Sequence, residues 1–270
     1  MKQYFFLSLL LIAASCKQQA KETNEETETA TAEKQEMAMA KYPGALSKVF
    51  DAHGGLELWK RQRTLQYDMP TKSATETHTV DLYNRKDRIA TKKFTMGFDG
   101  KQPWLLDASN QYEGNVEFYH NLMFYFYAMP FVLADDGIVY GDTEDLVFDG
   151  ESYPGVRISY NAGIGTTPKD EYFIHFDSKT HQMAWLGYTV TYRSGEKSDN
   201  VKWIRYNDWR NVNGLVLPQS MTWYDYEGRT IKDAKSTRSF ENISLKETSM
   251  PASFYTKPPD AVYWEKPSEE

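Results

Sequence analysis

Cysteine is almost absent from this chain, and its scarcity removes several classes of protein at once. The 270 residues contain one Cys, at position 16, so a disulfide framework and a cysteine-ligated metal centre are excluded. Basic residues are also outnumbered, with 31 Lys and Arg against 38 Asp and Glu and a net charge of −7. A nucleic-acid partner is therefore not expected, because phosphate binding requires a basic face.

Motifs that bind metals or carry out catalysis are missing as well. The histidines are scattered and include no His-x-x-x-His pair, so the sequence predicts no metal site and no cofactor. They are His53, His78, His120, His175 and His181. His53 stands directly before Gly54-Gly55, so we expect it to be a cation at the C-terminal end of a helix. No Gly-x-Ser-x-Gly sequence is present, which removes the commonest signature of secreted esterases.

Two weaker signals for ligand chemistry have simpler structural explanations. The acidic residues of 135–145 lack the spacing of a calcium loop, and we expect them to lie at helix ends and in solvated loops. Gly163-Ile164-Gly165 has no helix after it, so it does not predict a phosphate site.

The N-terminus has the layout of a bacterial secretory signal peptide. A basic start at Lys2 is followed by an apolar run over 4–14, which is too short for an ordinary membrane span. Small residues at 13–15 stand directly before Cys16, as in a lipobox, so we expect cleavage after residue 15 and acylation of Cys16. The alternative is a cleaved secretory peptide with a chance cysteine.

Residues 16–41 are predicted to be a lipidated cysteine followed by a disordered tether, because this polar segment has little apolar surface to bury. We expect a folded domain over 42–264 and a short tail at 265–270. Two or three acyl chains anchor stably in a membrane. This organisation predicts a protein of a Gram-negative-type cell envelope, anchored by acylated Cys16, at the outer membrane and facing the periplasm or the cell surface.

Aromatic residues are abundant, with 19 Tyr, 14 Phe and 7 Trp, and most lie in segments with a strand pattern. Two short helices are predicted at 43–53 and 56–63. Strands are predicted at 65–69, 77–84, 88–94, 102–107, 146–148, 155–160, 171–177, 183–192, 201–209, 215–226 and 235–245. Asn213-Gly214 is a strong hairpin signal. Without βαβ alternation, the pattern predicts a mainly β or α+β fold.

Residues 116–134 interrupt the strand pattern. The segment is apolar on nearly all sides but contains His120 and Asn121, so it predicts a buried helix that Pro130 ends or kinks. Two interpretations remain open for its aromatic side chains. They either fill the core beneath the sheet or line an apolar groove.

Several motifs together resemble the outer-membrane lipoprotein-sorting proteins, the LolA/LolB-like group. They are Phe-Asp-Gly-Lys-Gln-Pro-Trp at 98–104, Tyr-Phe-Ile-His-Phe-Asp at 172–177, the segment from Tyr206 to Pro218, and Phe-Glu-Asn-Ile at 240–243 followed by Phe-Tyr-Thr-Lys-Pro at 254–258. The resemblance implies an antiparallel open half-barrel whose concave face is covered by helices and binds acyl chains or another apolar ligand.

A closer resemblance is to a group of uncharacterised envelope lipoproteins. It rests on Ala-His-Gly-Gly-Leu at 52–56 with Trp59, and on Phe-Tyr-His-Asn at 118–121 with Gly137. Some members of that group are labelled deoxyribose-phosphate aldolase. The aldolase family is an eightfold α/β barrel with a reactive lysine, and the strand pattern of this chain does not fit it.

The leading hypothesis from the sequence is a non-enzymatic, lipid-anchored envelope protein that binds a hydrophobic ligand such as a lipid or a lipoprotein acyl chain. The candidate groove residues are Trp104, Phe118, Tyr119, His120, Phe124, Tyr125, Tyr127, Met129 and Trp185. A ligand-free scaffold with a packed interior is the alternative. A secreted hydrolase or an aldolase ranks last, because no catalytic set is visible.

Overall fold

A computed structural model describes residues 41–161, 169–191 and 195–265. The predicted signal peptide, Cys16, nearly all of the tether, Gly163-Ile164-Gly165 and residues 266–270 of the predicted tail lie outside the described residues. The chain divides into two compact units, Met1–Gly44 and Ala45–Glu270. Everything below concerns the second unit, apart from the first residue of the first helix.

Three α-helices form where the sequence predicts them. They are α1 (Gly44–Ala52), α2 (Leu56–Arg61) and α3 (Val116–Tyr127), and a 3₁₀ helix (Phe131–Ala134) follows α3. The side chain of Asn115 caps α3 by accepting a hydrogen bond from the backbone N–H of Phe118 at 2.9 Å. The helix ends before Pro130, which cannot continue it because proline lacks a backbone N–H.

The first sheet has seven antiparallel strands in the order β15-β1-β2-β3-β4-β5-β16. Its strands are β1 (Thr64–Pro70), β2 (Thr75–Asp81), β3 (Asp87–Ala90), β4 (Thr95–Phe98), β5 (Pro103–Leu106), β15 (Glu241–Lys246) and β16 (Val262–Tyr263). Neighbouring strands are mostly joined by short turns, so the sheet is largely a meander.

The second sheet also has seven antiparallel strands, in the order β14-β13-β12-β11-β10-β9-β6. They are β6 (Ile138–Gly141), β9 (Gly155–Tyr160), β10 (Tyr172–Phe176), β11 (Met183–Tyr188), β12 (Lys202–Val212), β13 (Leu215–Glu227) and β14 (Thr230–Ser239). A separate hairpin is formed by β7 (Leu146–Phe148) and β8 (Glu151–Tyr153).

The chain passes from one sheet to the other at Phe240. Ser239 still pairs with β13, whereas Glu241 pairs with β1. Phe240 itself is 1% exposed and turns its ring against Tyr67 and Tyr127. One long strand was predicted over 235–245, and the structure corrects it to two strands, because the two halves bond to different sheets.

The resulting architecture is mainly β, antiparallel and open, which confirms the predicted fold class. In the described part of the chain, β16 and β6 end their sheets without pairing to each other, so the strands do not close a barrel. Helix α3 contacts β3, β4 and β5 of the first sheet and, through ring contacts, β9, β10 and β11 of the second. The strands β4, β6, β8 and β16 were not predicted, and each is only two to four residues long.

Candidate functional site

The sequence of α3 places two apolar stripes on different sides of the helix. Val116, His120, Met123 and Tyr127 recur at helical spacing and are all buried. Alternation along the strands gives the first sheet an inner face that includes Tyr67, His78, Asp87 and Phe98, and this face meets the buried stripe. The helix is therefore docked on the first sheet by its fully buried side.

A buried ion pair joins this side of α3 to the sheet. Nδ1 of His120 lies 2.5 Å from Oδ2 of Asp87, and the imidazole stacks on Phe98 with the ring centroids 5.1 Å apart. Burial raises the pKa of Asp87, while the hydrogen bond and charge of His120 oppose that rise. The other carboxylate oxygen of Asp87 is buried and has no partner among the described residues.

A second histidine–carboxylate pair lies on β2. Nε2 of His78 is 3.1 Å from Oε2 of Glu76, and the hydroxyl of Tyr119 donates to the same oxygen at 2.8 Å. Tyr67 stacks between His78 and Tyr127, with centroid distances of 4.8 and 4.2 Å. Histidine–carboxylate pairs are common in catalysis, but both carboxylates here are buried beneath a helix, and their contacts fix the helix to the sheet.

The opposite side of α3 forms what we call the tyrosine cleft. It consists of Phe118, Leu122 and Tyr125 on the helix and Tyr160, Tyr172 and Tyr188 on the second sheet. Tyr188 is 9% exposed, and the other five side chains are half-buried. The rings of Tyr125 and Tyr172 lie 5.7 Å apart, and those of Tyr160 and Tyr172 lie 5.9 Å apart.

Hydroxyl groups give the cleft polar contacts within an aromatic surface. Burial raises the pKa of Tyr125 to about 12, and burial likewise raises the pKa values of Tyr160 and Tyr172. These hydroxyls therefore stay protonated at neutral pH. The hydroxyls of Tyr125 and Tyr160 hydrogen-bond to each other, and Nε1 of Trp223 donates to the hydroxyl of Tyr188 at 3.0 Å. The cleft thus combines ring faces with hydroxyl groups, as sites for amphipathic ligands do.

A groove of about 340 Å³ lies elsewhere, between α2, the 3₁₀ helix and the β2–β3 turn. Its walls include Trp59 and Phe131, whose rings stack at 4.6 Å, and its rim carries the bidentate ion pair of Arg85 with Asp135. Its volume falls in the range of small-molecule sites. None of the groove residues predicted from the sequence lines it.

The structure separates the predicted groove residues into four sets. Phe118 and Tyr125 lie in the tyrosine cleft, and Tyr119 and His120 bond to carboxylates of the first sheet. Phe124, Tyr127 and Met129 are buried in the core. Trp104 and Trp185 are not brought to the helix, because strand alternation turns each to the outer face of its sheet. There Trp104 donates to the carbonyl of Tyr255, and Trp185 packs against Phe148.

The structure corrects an expectation about His53. Its place before Gly54-Gly55 suggested a cation at the end of a helix. Instead the imidazole is fully buried and bridges two strands, with Nδ1 at 2.9 Å from the carbonyl of Val216 and Nε2 accepting from the N–H of Met183 at 3.0 Å. Burial lowers the pKa of His53 to about 4, so the ring is neutral at neutral pH.

Sequence reasoning missed the partners of α3 on both sheets. Glu76 and His78 alternate along β2 and so share a face, a signal that periodicity could have provided. Tyr160 and Tyr172 end and begin their strands, and nothing local indicates that both meet Tyr125. The acidic residues behave as expected, since Asp135 pairs with Arg85 and Asp145 accepts from Ser152.

Two findings bear on metals and membranes. The residues that the structure describes include no group of three or more His, Cys, Asp or Glu side chains able to hold a metal ion. Among the described helices, none is long and apolar enough to cross a membrane.

Comparison with known proteins gives a family model and several solved structures. The model, described as a family of unknown function (DUF6503), matches residues 2–235. No curated protein matches the chain. A LolA superfamily protein from Nitrosomonas europaea is 10% identical, with 77% of this chain and 96% of that chain covered and a TM-score of 0.45.

Two further structures are similar at the same level. A DUF1329 family protein from Desulfovibrio piger is 8% identical, with coverage of 77% and 95% and a TM-score of 0.46. A domain from Vibrio parahaemolyticus, assigned to the outer membrane lipoprotein-sorting proteins, is 10% identical, with coverage of 76% and 97% and a TM-score of 0.40. These neighbours include the group that the sequence motifs resemble.

Proposed function

The chain belongs to the DUF6503 family of unknown function, and we propose that it binds an amphipathic ligand with an apolar portion, such as a lipid or an acyl chain, in the tyrosine cleft. The observation that supports this function is the contrast between the two sides of α3. One stripe is buried against the first sheet. The other is half-buried, and its Tyr125 contacts Tyr160 and Tyr172 of the second sheet.

The half-buried stripe is unusual for a helix at the centre of a fold. Core side chains pack at nearly crystalline density. Met123 and Tyr127 are core side chains of this helix, with 6% and 0% of their surface exposed. Phe118, Leu122 and Tyr125 keep part of their surface accessible, although each is large and apolar. Large apolar side chains left in a concave, partly accessible site are typical of ligand pockets. Tyrosine hydroxyls at the same place suit a ligand with a polar end.

The proposed ligand site can be tested by enlarging one side chain of the tyrosine cleft. Leu122 is half-buried and lies one helical turn from Tyr125, so replacing it by Trp adds bulk on the cleft side of α3 without removing an apolar surface. We expect the Leu122→Trp protein to bind a fluorescent fatty-acid probe about tenfold more weakly than the native chain, a loss of about 1.4 kcal/mol. Titration of the probe, followed by its fluorescence, measures the change.

Asn121→Trp is the matched control, since Asn121 is exposed and adjacent on the same helix. It should leave binding unchanged. Ala134→Trp tests the 340 Å³ groove in the same way, because Ala134 lines it. If only the Ala134 variant lost binding, the ligand site would be that groove. If the native chain bound no probe, the ligand-free scaffold would replace the binding function.

We also propose that the protein is held at the cell envelope by acylation of Cys16. The support is the apolar leader, the small residues before Cys16 and the absence of a second cysteine. Cys16→Ala should move the protein out of the membrane fraction and abolish incorporation of labelled palmitate. A variant that stayed in the membrane fraction with its label would show that the leader is not a lipoprotein signal.

A further inference from the structure

The outer face of the second sheet carries two arginines beneath the β7–β8 hairpin, remote from α3 in the strand alternation. Arg205 on β12 stands opposite Trp185 on β11. Arg229 lies in the turn between β13 and β14. The hairpin above them forms a two-stranded sheet of its own and packs down through Phe148, whose ring lies 4.8 Å from that of Trp185.

Arg205 is enclosed by aromatic rings. Its guanidinium carbon lies 4.7 Å from the ring centroid of Trp185, 5.2 Å from that of Phe148 and 5.7 Å from that of Tyr153. Nη1 of Arg205 and Nε1 of Trp185 are both buried, and neither has a hydrogen-bond partner in the described part of the chain. Trp185 is 0% exposed. Two buried donors, on side chains whose guanidinium carbon and ring centroid are 4.7 Å apart, thus have no acceptor among the described residues.

Arg229 adds a second positive charge to the same cluster. Its guanidinium carbon lies 5.4 Å from the ring of Trp203, and its Nη2 donates to the carbonyl of Glu144 at 3.0 Å and to Nε2 of His175 at 3.3 Å. Burial lowers the pKa of His175 to about 4, so the imidazole is neutral and accepts this bond. The partners of Arg229 are therefore uncharged.

Neither guanidinium of this cluster forms an ion pair with a carboxylate of the described ranges, although Asp145 lies close enough to His175 to oppose the lowering of its pKa. The arginines that form ion pairs within the described ranges are Arg61, Arg63, Arg85 and Arg157. Arg205 and Arg229 are not among them. On the covering hairpin and its approach, Asp145 accepts a hydrogen bond from Ser152 at 2.6 Å. A guanidinium in an aromatic setting without an anion is costly to desolvate, and an incoming anion offsets that cost.

We infer that Arg205 and Trp185 form a binding site for an oxyanion, a carboxylate or a phosphate group, under the β7–β8 hairpin. An oxyanion has enough lone pairs to accept from Nη1 and Nε1 together, and a bond to a charged donor is stronger than one between neutral groups. The aromatic walls lower the local dielectric and strengthen the attraction. Arg205 as a whole is half-buried, so part of this side chain remains accessible to solvent although its Nη1 is buried.

The indole N–H of Trp185 reports directly on occupancy. In the ¹⁵N-labelled full chain, its resonance is identified as the one missing from a Trp185→Phe variant. Inorganic phosphate and acetate are titrated separately against sodium chloride at equal ionic strength. We expect the Trp185 resonance to shift with phosphate or acetate and not with chloride, and the anion that binds more tightly identifies the class of ligand.

Arg205→Met keeps an apolar stem of similar length and should abolish the shift, whereas Arg205→Lys should retain it in weakened form. Arg210→Met, at an exposed arginine of the same strand, is the control and should leave the shift intact. The inference fails if the resonance moves equally with chloride, if it stays in place with both anions, or if the shift survives in Arg205→Met. The Arg205→Lys variant decides the case if Arg205→Met does not fold.

Discussion

The two sheets bury their histidines in opposite ways. His78 and His120, at the inner face of the first sheet, are paired with the carboxylates of Glu76 and Asp87. His53, which follows α1, bonds to the carbonyl of Val216 on β13, and His175 on β10 bonds to the carbonyl of Tyr153; burial lowers the pKa of each histidine to about 4. The first sheet therefore pairs its buried histidines with carboxylates where α3 docks, whereas the two histidines packed at the second sheet bond to the backbone and stay neutral.

This difference matches the two sides of α3. Ion pairs and stacked rings hold the helix tightly against the first sheet, and buried pairs of this kind tolerate little displacement because one partner left alone is costly. The contacts with the second sheet are aromatic and half-buried, and rearranging such contacts costs less free energy than separating a buried histidine–carboxylate pair. A ligand that enters beside α3 would therefore displace contacts on the second-sheet side.

The largest effect should come from truncating the docked side of the helix. Tyr127 is 0% exposed and packs against Tyr67 and Phe240, so Tyr127→Ala leaves a cavity and should lower the free energy of unfolding by about 3–5 kcal/mol. Tyr125→Ala, on the cleft side, should cost about 1 kcal/mol. Urea unfolding measures both, and equal losses would contradict the distinction between the two sides.

Substitutions of Asp87 and His120 should have strongly non-additive effects on the free energy of unfolding. Asp87→Leu leaves His120 without its partner and should cost about 3 kcal/mol, because breaking one half of a buried pair leaves a polar group uncompensated. The double variant Asp87→Leu/His120→Leu should be more stable than the sum of the single losses predicts. A double-mutant cycle by urea unfolding gives the coupling, and additive losses would mean that the pair contributes no specific interaction.

Acid should destabilise the protein because His53 and His175 are buried in their neutral form. The folded pKa values of His53 and His175 lie near 4, below the unfolded value of 6.5, so the unfolded chain binds more protons in this window. Stability is thus present above pH 6.5 and falls as the pH drops towards 4, by up to about 3 kcal/mol for each histidine.

The contribution of Asp87 to stability should change with pH in the opposite direction. Burial raises its pKa, so its contribution is present below pH 3.8 and is lost as the pH rises through the raised pKa. Unfolding measured from neutral pH to about pH 5 tests the histidines, and His53→Gln should flatten the profile. A profile unchanged by this substitution would contradict a neutral, buried His53.

Most of the local structure could be predicted from the sequence. The helical spacing of Val116, His120 and Tyr127, the Asn213-Gly214 turn and the strand alternation are set by interactions within a few residues. The prediction of a buried aromatic helix is confirmed by α3. The candidate groove residues lie in different surroundings in the structure, because the helix has two apolar sides and the sequence does not say which sheet each side meets.

What the sequence by itself determined is the period of each segment, and with it which side chains share a face. Only the tertiary structure decided which faces meet. Asp87 and His120 are 33 residues apart, and Trp104 and Trp185 have the composition of groove residues but lie on outer faces. The reason is physical: periodicity follows from local backbone geometry, whereas the pairing of faces depends on which packing of the whole chain buries the most apolar surface while satisfying its polar groups.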